Sequence, residues 1–285
     1  MDFIVNARSG HGLGSKNLKK ITTYCDKNNI KYNVHITSAP GHATKIASDL
    51  VESGSKTIVA VGGDGTFNEV LNGITSFENT SLGFIPSGRG NDFARGMNLP
   101  KDPINALKII LRNETDYLDY IQIGEKRCLN IAGTGLDIDV LKRVAGRPGK
   151  ITYLSSLLYC VNHFEPYAID ITLDGETKHY KSVIAGICNG NQFGGGLKLS
   201  PLSKQNDGLL DLVIINMPPN GNIWPALIKF LQGKHIDLPI TTHIKCEQVV
   251  ITPTDGRPVQ MDGEIHENYV LDCKIVKSGL KTFKI

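Results

Sequence analysis

The sequence predicts two domains, an α/β domain with an open, mostly parallel sheet over residues 1–116 and a β-rich, sandwich-like domain over residues 117–276. In the first hundred residues, short apolar runs alternate with segments of helical periodicity, which is typical of βαβ units. After about residue 115, short strand-like runs are separated by turn signals such as Asp174-Gly175. A length of 285 residues also suits two domains. We expect the tail, residues 277–285, to pack back onto the first domain.

The first half of the chain supplies the strands and helices of the α/β domain. Residues 57–61 form a mostly β-branched run, as expected of a buried parallel strand. Residues 103–111 have helical periodicity with a proline at the first position. In chain order, the predicted strands are 3–5, 32–36, 57–61 and 82–85, and the predicted helices are 15–29, 41–52, 66–73, 91–95 and 103–111.

The second half predicts an antiparallel β-rich domain, because many short strands joined by β-turns are typical of sandwiches. Two segments, 150–163 and 222–232, have helical character instead. The predicted strands are 117–123, 127–132, 168–173, 181–188, 209–215, 248–252 and 270–276. No linker composition marks the boundary near residues 113–120, so we expect the two domains to pack together around a shared cleft.

Composition excludes several classes of function. The 31 Lys and Arg residues against 28 Asp and Glu residues give a net charge of +3, and aromatic residues make up 7%, so we expect no nucleic-acid binding. The longest apolar stretch, residues 151–161, is shorter than the roughly 20 residues of a membrane span. No basic and apolar leader opens the sequence, and the six cysteines form no CxxC pair. We therefore expect a cytoplasmic protein with reduced thiols.

The sharpest motif is Gly62-Gly63-Asp64-Gly65-Thr66, which follows a predicted strand and opens a predicted helix. Glycines let the backbone approach a ligand closely, and a helix start presents N–H groups to an anion. Asp64 in this turn is suited to bonding ribose hydroxyls or a metal-bound water. Thr66 with Glu69 three residues later also reads as a capping box, which is the structural alternative. Three glycines within four positions favour phosphate binding.

Two further turns leave neighbouring strands in the same way. Residues 6–14 contain Gly10, Gly12 and Gly14, and residues 86–93 read PSGRGNDF. The first turn does not fit a dinucleotide fingerprint or a Walker loop. Because the carboxyl ends of parallel strands meet at one edge, we expect the three turns to form one polyphosphate site.

These motifs in this order strongly resemble the diacylglycerol kinase catalytic-domain family, and in particular its bacterial lipid-kinase branch. The resemblance rests on GGDGTFNEVLNG at 62–73, NARSG at 6–10, PSGRGNDFAR at 86–95, NDGLLD at 206–211 and MDGE at 261–264. It therefore extends along the whole chain. GGDGT alone is shared with NAD kinases, and its GGD resembles that of phosphofructokinases, so the resemblance implies a first domain like theirs.

The resemblance implies ATP as cofactor, held by residues that follow three of the predicted strands. At position 89, where the family often has Thr or Ser, this sequence has arginine. Arg89 is suited to pairing with a phosphate, and a solvated loop arginine is the alternative. The implied ATP contacts are Asn6, Ala7, Arg8, Ser9, Gly10, Thr37, Gly62, Gly63, Asp64, Gly65, Thr66, Phe67, Asn68 and Glu69, together with Arg89.

The resemblance also implies a Mg²⁺ site at Asp207, with backbone oxygens near Lys204 and Leu209. Oxygen ligands from a tight Asp-Gly turn suit a hard cation, and the same residues are an ordinary hairpin signal. A second Mg²⁺ is expected to arrive with ATP and to be held by its phosphates and Asp64, directly or through water.

Asp262-Gly263-Glu264 places two carboxylates on either side of one glycine. From the residues alone, a solvated turn is the default interpretation. The resemblance implies that Glu264 is the general base of phosphoryl transfer, with Asp262 nearby and Asp64 as the third catalytic carboxylate.

A basic segment precedes the apolar helix predicted at 150–163: Lys142, Arg143, Arg147 and Lys150. Such a segment is suited to transient contact with anionic headgroups at the inner membrane surface, and a core helix with a solvated basic start is the alternative. The expected partner is a lipid alcohol at that surface. The oligomeric state stays open, with a homodimer as one option.

Three functions follow from these residues. The first is an ATP-dependent lipid kinase that phosphorylates diacylglycerol or a related lipid alcohol. The second is a soluble-metabolite kinase of the NAD-kinase type, which shares GGDGT. The third is a nucleotide-binding regulator without turnover, although all three carboxylates needed for turnover are present.

Overall fold

The computed structural model describes residues 1–144 and 150–285, without the side chains of residues 150 and 151. The chain forms two compact units, one made of Met1–Asp119 with Lys277–Ile285 and the other of Tyr120–Val276. Within these described residues, none of the helices is both long enough and apolar enough to cross a membrane.

The first unit is built on a parallel sheet. Among the described residues this sheet has four strands in the order β2-β1-β3-β4, all parallel. The elements are β1 (Asp2–Val5), α1 (Ser9–Lys27), β2 (Asn33–Ile36), α2 (His42–Glu52), β3 (Thr57–Gly62), α3 (Asp64–Gly73), β4 (Ser81–Pro86), α4 (Asp92–Gly96) and α5 (Pro103–Leu111), followed by β5 (Thr115–Ile123).

The sheet is buried because its strands are almost continuously apolar, as parallel strands covered by helices must be. All six residues of β4 are buried, as are five of the six in β3. Ile21 and Cys25 of α1 pack on this sheet together with Leu107 of α5. Helices α2 and α3 pack against each other.

The second unit is β-rich and antiparallel. Its described strands join one extended sheet in the order β14-β13-β7-β9-β8-β12-β15-β5-β6, with β10 paired to β9 and β11. The remaining elements are β6 (Lys126–Cys128), β7 (Ile131–Gly135), α6 (Leu136–Val144), α7 (Lys150–Asn162), β8 (Tyr167–Leu173), β9 (Glu176–Cys188), β10 (Leu210–Asn216), α8 (Trp224–Leu231), β11 (Thr241–Cys246), β12 (Gln248–Pro253), β13 (Val259–Met261), β14 (Glu264–His266) and β15 (Leu271–Phe283).

The predicted fold class is confirmed: a parallel α/β part is followed by an antiparallel β-rich part. The single strand predicted at 127–132 is wrong, because the structure divides it into β6 and β7. The backbone N–H groups of Leu129 and Asn130, at the break, donate to the Asp262 carboxylate instead of a neighbouring strand. Helix α6 was not predicted, nor were strands β11, β13 and β14.

Candidate active site

Four strands of the first unit end at one edge of the sheet, and polar residues follow each end. In the strand order β2-β1-β3-β4, strand β2 lies on one side of β1, and strands β3 and β4 lie on the other side. The strand order therefore switches between β1 and β3, and open α/β sheets bind ligands at such a switch point. Asn6 follows β1 there, and Gly63 follows β3. Thr37 follows β2, and its N–H donates to the Val5 carbonyl over 2.9 Å.

Two of the three glycine-rich turns touch through their backbones. The N–H of Ser87 donates to the Gly62 carbonyl over 2.6 Å. A β-carbon on Gly88 would lie 2.5 Å from the α-carbon of Gly63, which no real contact tolerates. The turns after β3 and β4 therefore stack closely because both positions are glycine.

The turn after β1 folds against the same point. Gly10 has a φ of 56°, and a β-carbon there would lie 2.4 Å from the Ser87 carbonyl oxygen. The Asn6 side chain donates to Thr66 Oγ1 over 3.2 Å, and the buried Asn17 donates to Ser87 Oγ over 2.9 Å. Residues 6–10, 62–66 and 87–88 thus form one cluster, as the sequence predicts.

Helix α3 starts without a side-chain cap, so the capping-box interpretation of Thr66 and Glu69 is wrong. Thr66 lies inside the helix and accepts the Asn6 bond. The Glu69 carboxylate reaches α2, where it accepts from the Ala43 N–H over 3.1 Å. Glu69 therefore joins α3 to α2, and the helix start faces the glycine turns without a cap of its own.

Asp64 and Asn91 hold the turn after β4. Asn91, with a φ of 49°, accepts from the Gly88 N–H and donates to the Gly88 carbonyl, both over 2.9 Å. Asp64 Oδ1 accepts from the Phe93 N–H over 3.3 Å, in the first turn of α4. The Asp64 carboxylate thus lies between the starts of α3 and α4, beside Gly90. Arg89 is half-buried in this turn.

The side chains of two predicted ATP contacts, Phe67 and Asn68, have partners within the first unit. The Phe67 side chain is buried in an aromatic cluster with Phe84 and Phe93, at ring-centroid distances of 4.5 and 4.6 Å. The Asn68 side-chain oxygen accepts from Asn72, one turn further along α3. The Phe67 side chain therefore belongs to the core of the first unit.

In the second unit, Asp262-Gly263 forms the turn of the β13–β14 hairpin, with φ values of 47° and 89°. The Asp262 carboxylate accepts from three backbone N–H groups, those of Leu129, Asn130 and Ile131, over 2.7, 2.8 and 3.2 Å. Both carboxylate oxygens are used, so Asp262 holds the turn against the break between β6 and β7.

Glu264 begins β14 and is exposed, directly after this fixed turn. The Gly263 N–H donates to the side-chain oxygen of Gln260 over 2.8 Å, which fixes the turn from its other side. The geometry therefore separates the two acids, with Asp262 engaged by the backbone and Glu264 presented to solvent.

The predicted Mg²⁺ site at Lys204, Asp207 and Leu209 contains an ammonium group. Asp207 Oδ2 lies 2.6 Å from Lys245 Nζ, and Oδ1 accepts from the Leu209 N–H over 3.1 Å. The hydrogen bond to Asp207 raises the pKa of Lys245. Among the described residues no three or more His, Cys, Asp or Glu side chains cluster as metal ligands. The turn as it stands fits an ammonium group, and a metal ion would have to displace Lys245.

Comparisons with known proteins agree with this geometry. Residues 1–123 match the diacylglycerol kinase catalytic domain, and residues 131–283 match the YegS C-terminal NAD kinase beta sandwich-like domain. The second match alone covers more than half of the chain. The chain belongs to the bacterial diacylglycerol kinase-like lipid kinase family. The resemblance drawn from the motifs is thereby confirmed.

Relatives of this lipid kinase family cover nearly all of the chain. It is 30% identical to the "Putative lipid kinase YtlR" of Bacillus subtilis, over 92% of each chain. It is 28% identical to a B. subtilis protein named "Diacylglycerol kinase", over 92% of this chain and 88% of that one. A solved structure titled as that of a "putative diacylglycerol kinase" from Bacillus anthracis aligns with a TM-score of 0.83 at 26% identity, covering 100% and 96% of the two chains.

Membership of a lipid kinase family makes the protein a phosphotransferase that uses ATP and, as kinases usually do, a divalent metal. The motif-based predictions found the three turns and the Asp262 turn. They missed Asn17 and Asn91, which fix the turn after β4 through side-chain bonds. They also missed Asp137, a buried acid that lies between Leu136 and Ile138 at the start of α6.

Proposed function

We propose that the protein is an ATP-dependent lipid kinase that transfers a phosphoryl group to the hydroxyl of diacylglycerol or a related lipid alcohol. The products are ADP and a phosphatidic acid-type phospholipid. The proposal rests on the phosphate-binding turns for the donor and on an apolar cavity in the second unit for the acceptor.

The apolar cavity is the observation that favours a lipid over a soluble metabolite. It lies between the β9–β10 part of the sheet and helices α7 and α8. Thirteen of its fourteen lining residues are apolar or aromatic, and Asp137 is the other one. NAD or a sugar phosphate would need polar and charged partners, whereas an acyl chain needs only apolar contact. Leu157, Ile184, Leu227 and Phe230 are among the lining residues.

In the proposed reaction, Glu264 acts as the general base. Its carboxylate takes the proton of the attacking lipid hydroxyl while that oxygen bonds the γ-phosphorus and the bond to the β-phosphate oxygen breaks, so that ADP leaves. An exposed carboxylate beside a turn that hydrogen bonds hold in place suits this role, because its oxygens are accessible to an approaching hydroxyl group.

The donor phosphates are proposed to bind the turns that close around Gly63 and Gly88. Backbone N–H groups of these turns and of the α3 start supply hydrogen bonds to phosphate oxygens. Asn6 and Asp64 are the side chains that fit a nucleotide with its metal, Asp64 as the carboxylate beside the phosphates. A bound Mg²⁺ would neutralise phosphate charge during transfer.

The proposed partner is a membrane surface that holds the lipid alcohol. Helix α8 exposes Trp224, Ile228 and Leu231 along one face, with exposed fractions of 39, 53 and 42%. An aromatic and aliphatic stripe of this kind suits the headgroup boundary of a bilayer. Of the basic segment, Lys142 lies 3.7 Å from Glu267 and Arg143 stacks 3.6 Å above Tyr159. Arg147 lies outside the described residues.

A substrate panel tests the proposal. The protein is incubated with γ-labelled ATP and Mg²⁺ in mixed micelles with dioleoylglycerol, a ceramide or a long-chain alcohol, and separately with NAD and sugar phosphates. We expect label in the lipid fraction only. Transfer to NAD with none to lipid would support the metabolite kinase instead.

A further inference from the structure

Lys245 lies between two carboxylates, beside the turn that precedes β10. In the antiparallel β10–β11 pair Lys245 is directly opposite Asp211, so the two side chains lie on the same face of the sheet. The Lys245 ammonium nitrogen is 3.8 Å from Asp211 Oδ1 and 2.6 Å from Oδ2 of Asp207, which belongs to the turn. One ammonium group therefore serves both carboxylates.

Both oxygens of the Asp207 carboxylate are engaged by groups of the chain itself. Oδ1 accepts from the Leu209 N–H over 3.1 Å, and Oδ2 accepts from the Lys245 ammonium group over 2.6 Å. A Mg²⁺ ion bound to this carboxylate at about 2.1 Å would lie close to that ammonium group, and like charges at such a separation repel strongly. The residues present therefore do not fit a second divalent ion.

Asp211 makes a cation at this position necessary. Its side chain is buried, and Oδ1 lies 2.6 Å from Nε2 of His243, which is two residues before Lys245 on β11. A buried carboxylate is costly unless a cation and hydrogen bonds offset its charge. The hydrogen bond to Asp207 raises the pKa of Lys245, so this side chain stays charged at neutral pH. Lys245 thus supplies, as part of the chain, a positive charge that a bound metal ion would otherwise supply.

Gln205 connects the Asp207 turn to the turn that precedes Glu264. It lies two residues before Asp207 and is buried. Its side-chain nitrogen donates to Asn130 Oδ1 over 3.2 Å and to the Leu129 carbonyl over 3.4 Å. The backbone N–H groups of the same two residues donate to the Asp262 carboxylate. The segment that holds Asp262 is therefore held in turn by the loop that Lys245 fixes.

We propose that Lys245 takes the place of a divalent ion at the Asp207 turn, and that Lys245 and Gln205 are positioning residues for the Asp262-Gly263 turn. The chain then needs a divalent metal only together with ATP, and the acceptor side of the reaction is organised without one. The replacement of the metal ion is independent of the proposed lipid kinase function. The positioning role rests on that function.

The number of bound Mn²⁺ ions tests the replacement. Mn²⁺ prefers the same oxygen ligands as Mg²⁺, and the loss of its free electron-spin-resonance signal counts bound ions per chain in the absence of ATP. We expect Lys245→Met to bind one more Mn²⁺ ion than the unsubstituted protein does, and Lys245→Arg, which keeps a cation, to bind none in addition. Adding Asp207→Asn to Lys245→Met should remove the extra ion.

Turnover with dioleoylglycerol tests the positioning role. Gln205→Leu should lower kcat about tenfold and leave the KM for ATP nearly unchanged, because the residue acts through the Asp262 turn and not on the ATP turns. Lys245→Met should lower kcat in the same way, and Mg²⁺ in excess of ATP should partly restore it. The matched control is Lys178→Met, which removes an exposed lysine 3.8 Å from Glu176 and should change neither kcat nor the Mn²⁺ count.

The replacement is overturned if Lys245→Met binds no additional Mn²⁺ ion. It is equally overturned if Asp207→Asn alone removes an ion from the otherwise unsubstituted protein, and this measurement serves even where Lys245→Met does not fold. Full turnover in Gln205→Leu would overturn the positioning role. The proposed function fails separately, through absent transfer to any lipid alcohol by the unsubstituted protein, while the Mn²⁺ counts still decide whether Lys245 replaces the metal ion.

Discussion

Gly63 and Gly88 meet backbone to backbone, and a β-carbon on Gly88 would lie 2.5 Å from the Gly63 α-carbon. This contact joins the turn after β3 to the turn after β4. Both turns lie at the edge of the sheet where the strand order switches sides, between β1 and β3. Two glycine-rich motifs that lie 25 residues apart in sequence therefore form one continuous surface, which is the surface proposed to bind the ATP phosphates.

Gly88→Ala should push these turns apart. Overpacking costs about 1–3 kcal/mol of unfolding free energy, and displacement of the Gly63 backbone should weaken ATP binding by about tenfold or more. Urea denaturation and ATP titration measure the two effects. Gly65→Ala is the matched control for stability, because a β-carbon there has no heavy atom within 4 Å. Unchanged ATP affinity in Gly88→Ala would contradict the single-surface account.

Asp262→Ala should lower stability far more than Glu264→Ala. The Asp262 carboxylate accepts from three backbone N–H groups, and bonds to a charged group contribute about 1.5–3 kcal/mol each, without full additivity. We expect a loss of about 3 kcal/mol or more in the free energy of unfolding, against less than about 0.5 kcal/mol for the exposed Glu264. Equal effects on denaturation would contradict the structural role of Asp262.

Asp137 should make stability depend on pH. Since burial raises its pKa from 3.8 to about 7, the folded protein keeps this proton at pH values where the unfolded chain has lost it. Its contribution is fully present below about pH 4 and is lost as the pH rises to about 7. Relative to the unsubstituted protein, Asp137→Asn should therefore gain stability between these values and show a constant difference above them. Denaturation curves across this range that stay parallel would contradict the buried neutral acid.

Lys245→Met should make the Asp207 turn respond to Mg²⁺. Without the ammonium group, the Asp207 carboxylate lacks the partner 2.6 Å away that offsets its charge. We expect a lower melting temperature that millimolar Mg²⁺ partly restores, whereas the unsubstituted protein should show a smaller shift. A Mg²⁺ response of equal size in both proteins would mean that Lys245 does not compete for the site.

Periodicity was sufficient to predict most elements, because apolar spacing decides which face of a helix or strand is buried. It failed at 127–132, where the acceptor that breaks the strand, Asp262, lies 131–133 residues away in sequence. The partner of Glu69 was missed for the same reason: its carboxylate bonds Ala43 on another helix. Such long-range side-chain acceptors leave no local pattern.

The glycine turns of the site were predictable, since close backbone approach requires a residue without a β-carbon. The burial of Asp137 was not predictable, because aspartates are mostly exposed and Asp139, two residues later, has the same local sequence signal. Only the packing of α7 and α8 over the sheet encloses it.

The most direct test of the central claim is transfer of label from γ-labelled ATP to dioleoylglycerol, with ATP affinity measured in parallel. The unsubstituted protein should yield labelled phosphatidic acid. Glu264→Gln should bind ATP equally well and lose about 10²–10⁴-fold in turnover, because it cannot accept the hydroxyl proton. An unsubstituted protein that binds ATP and labels no lipid alcohol, or a Glu264→Gln variant with full turnover, would contradict this account.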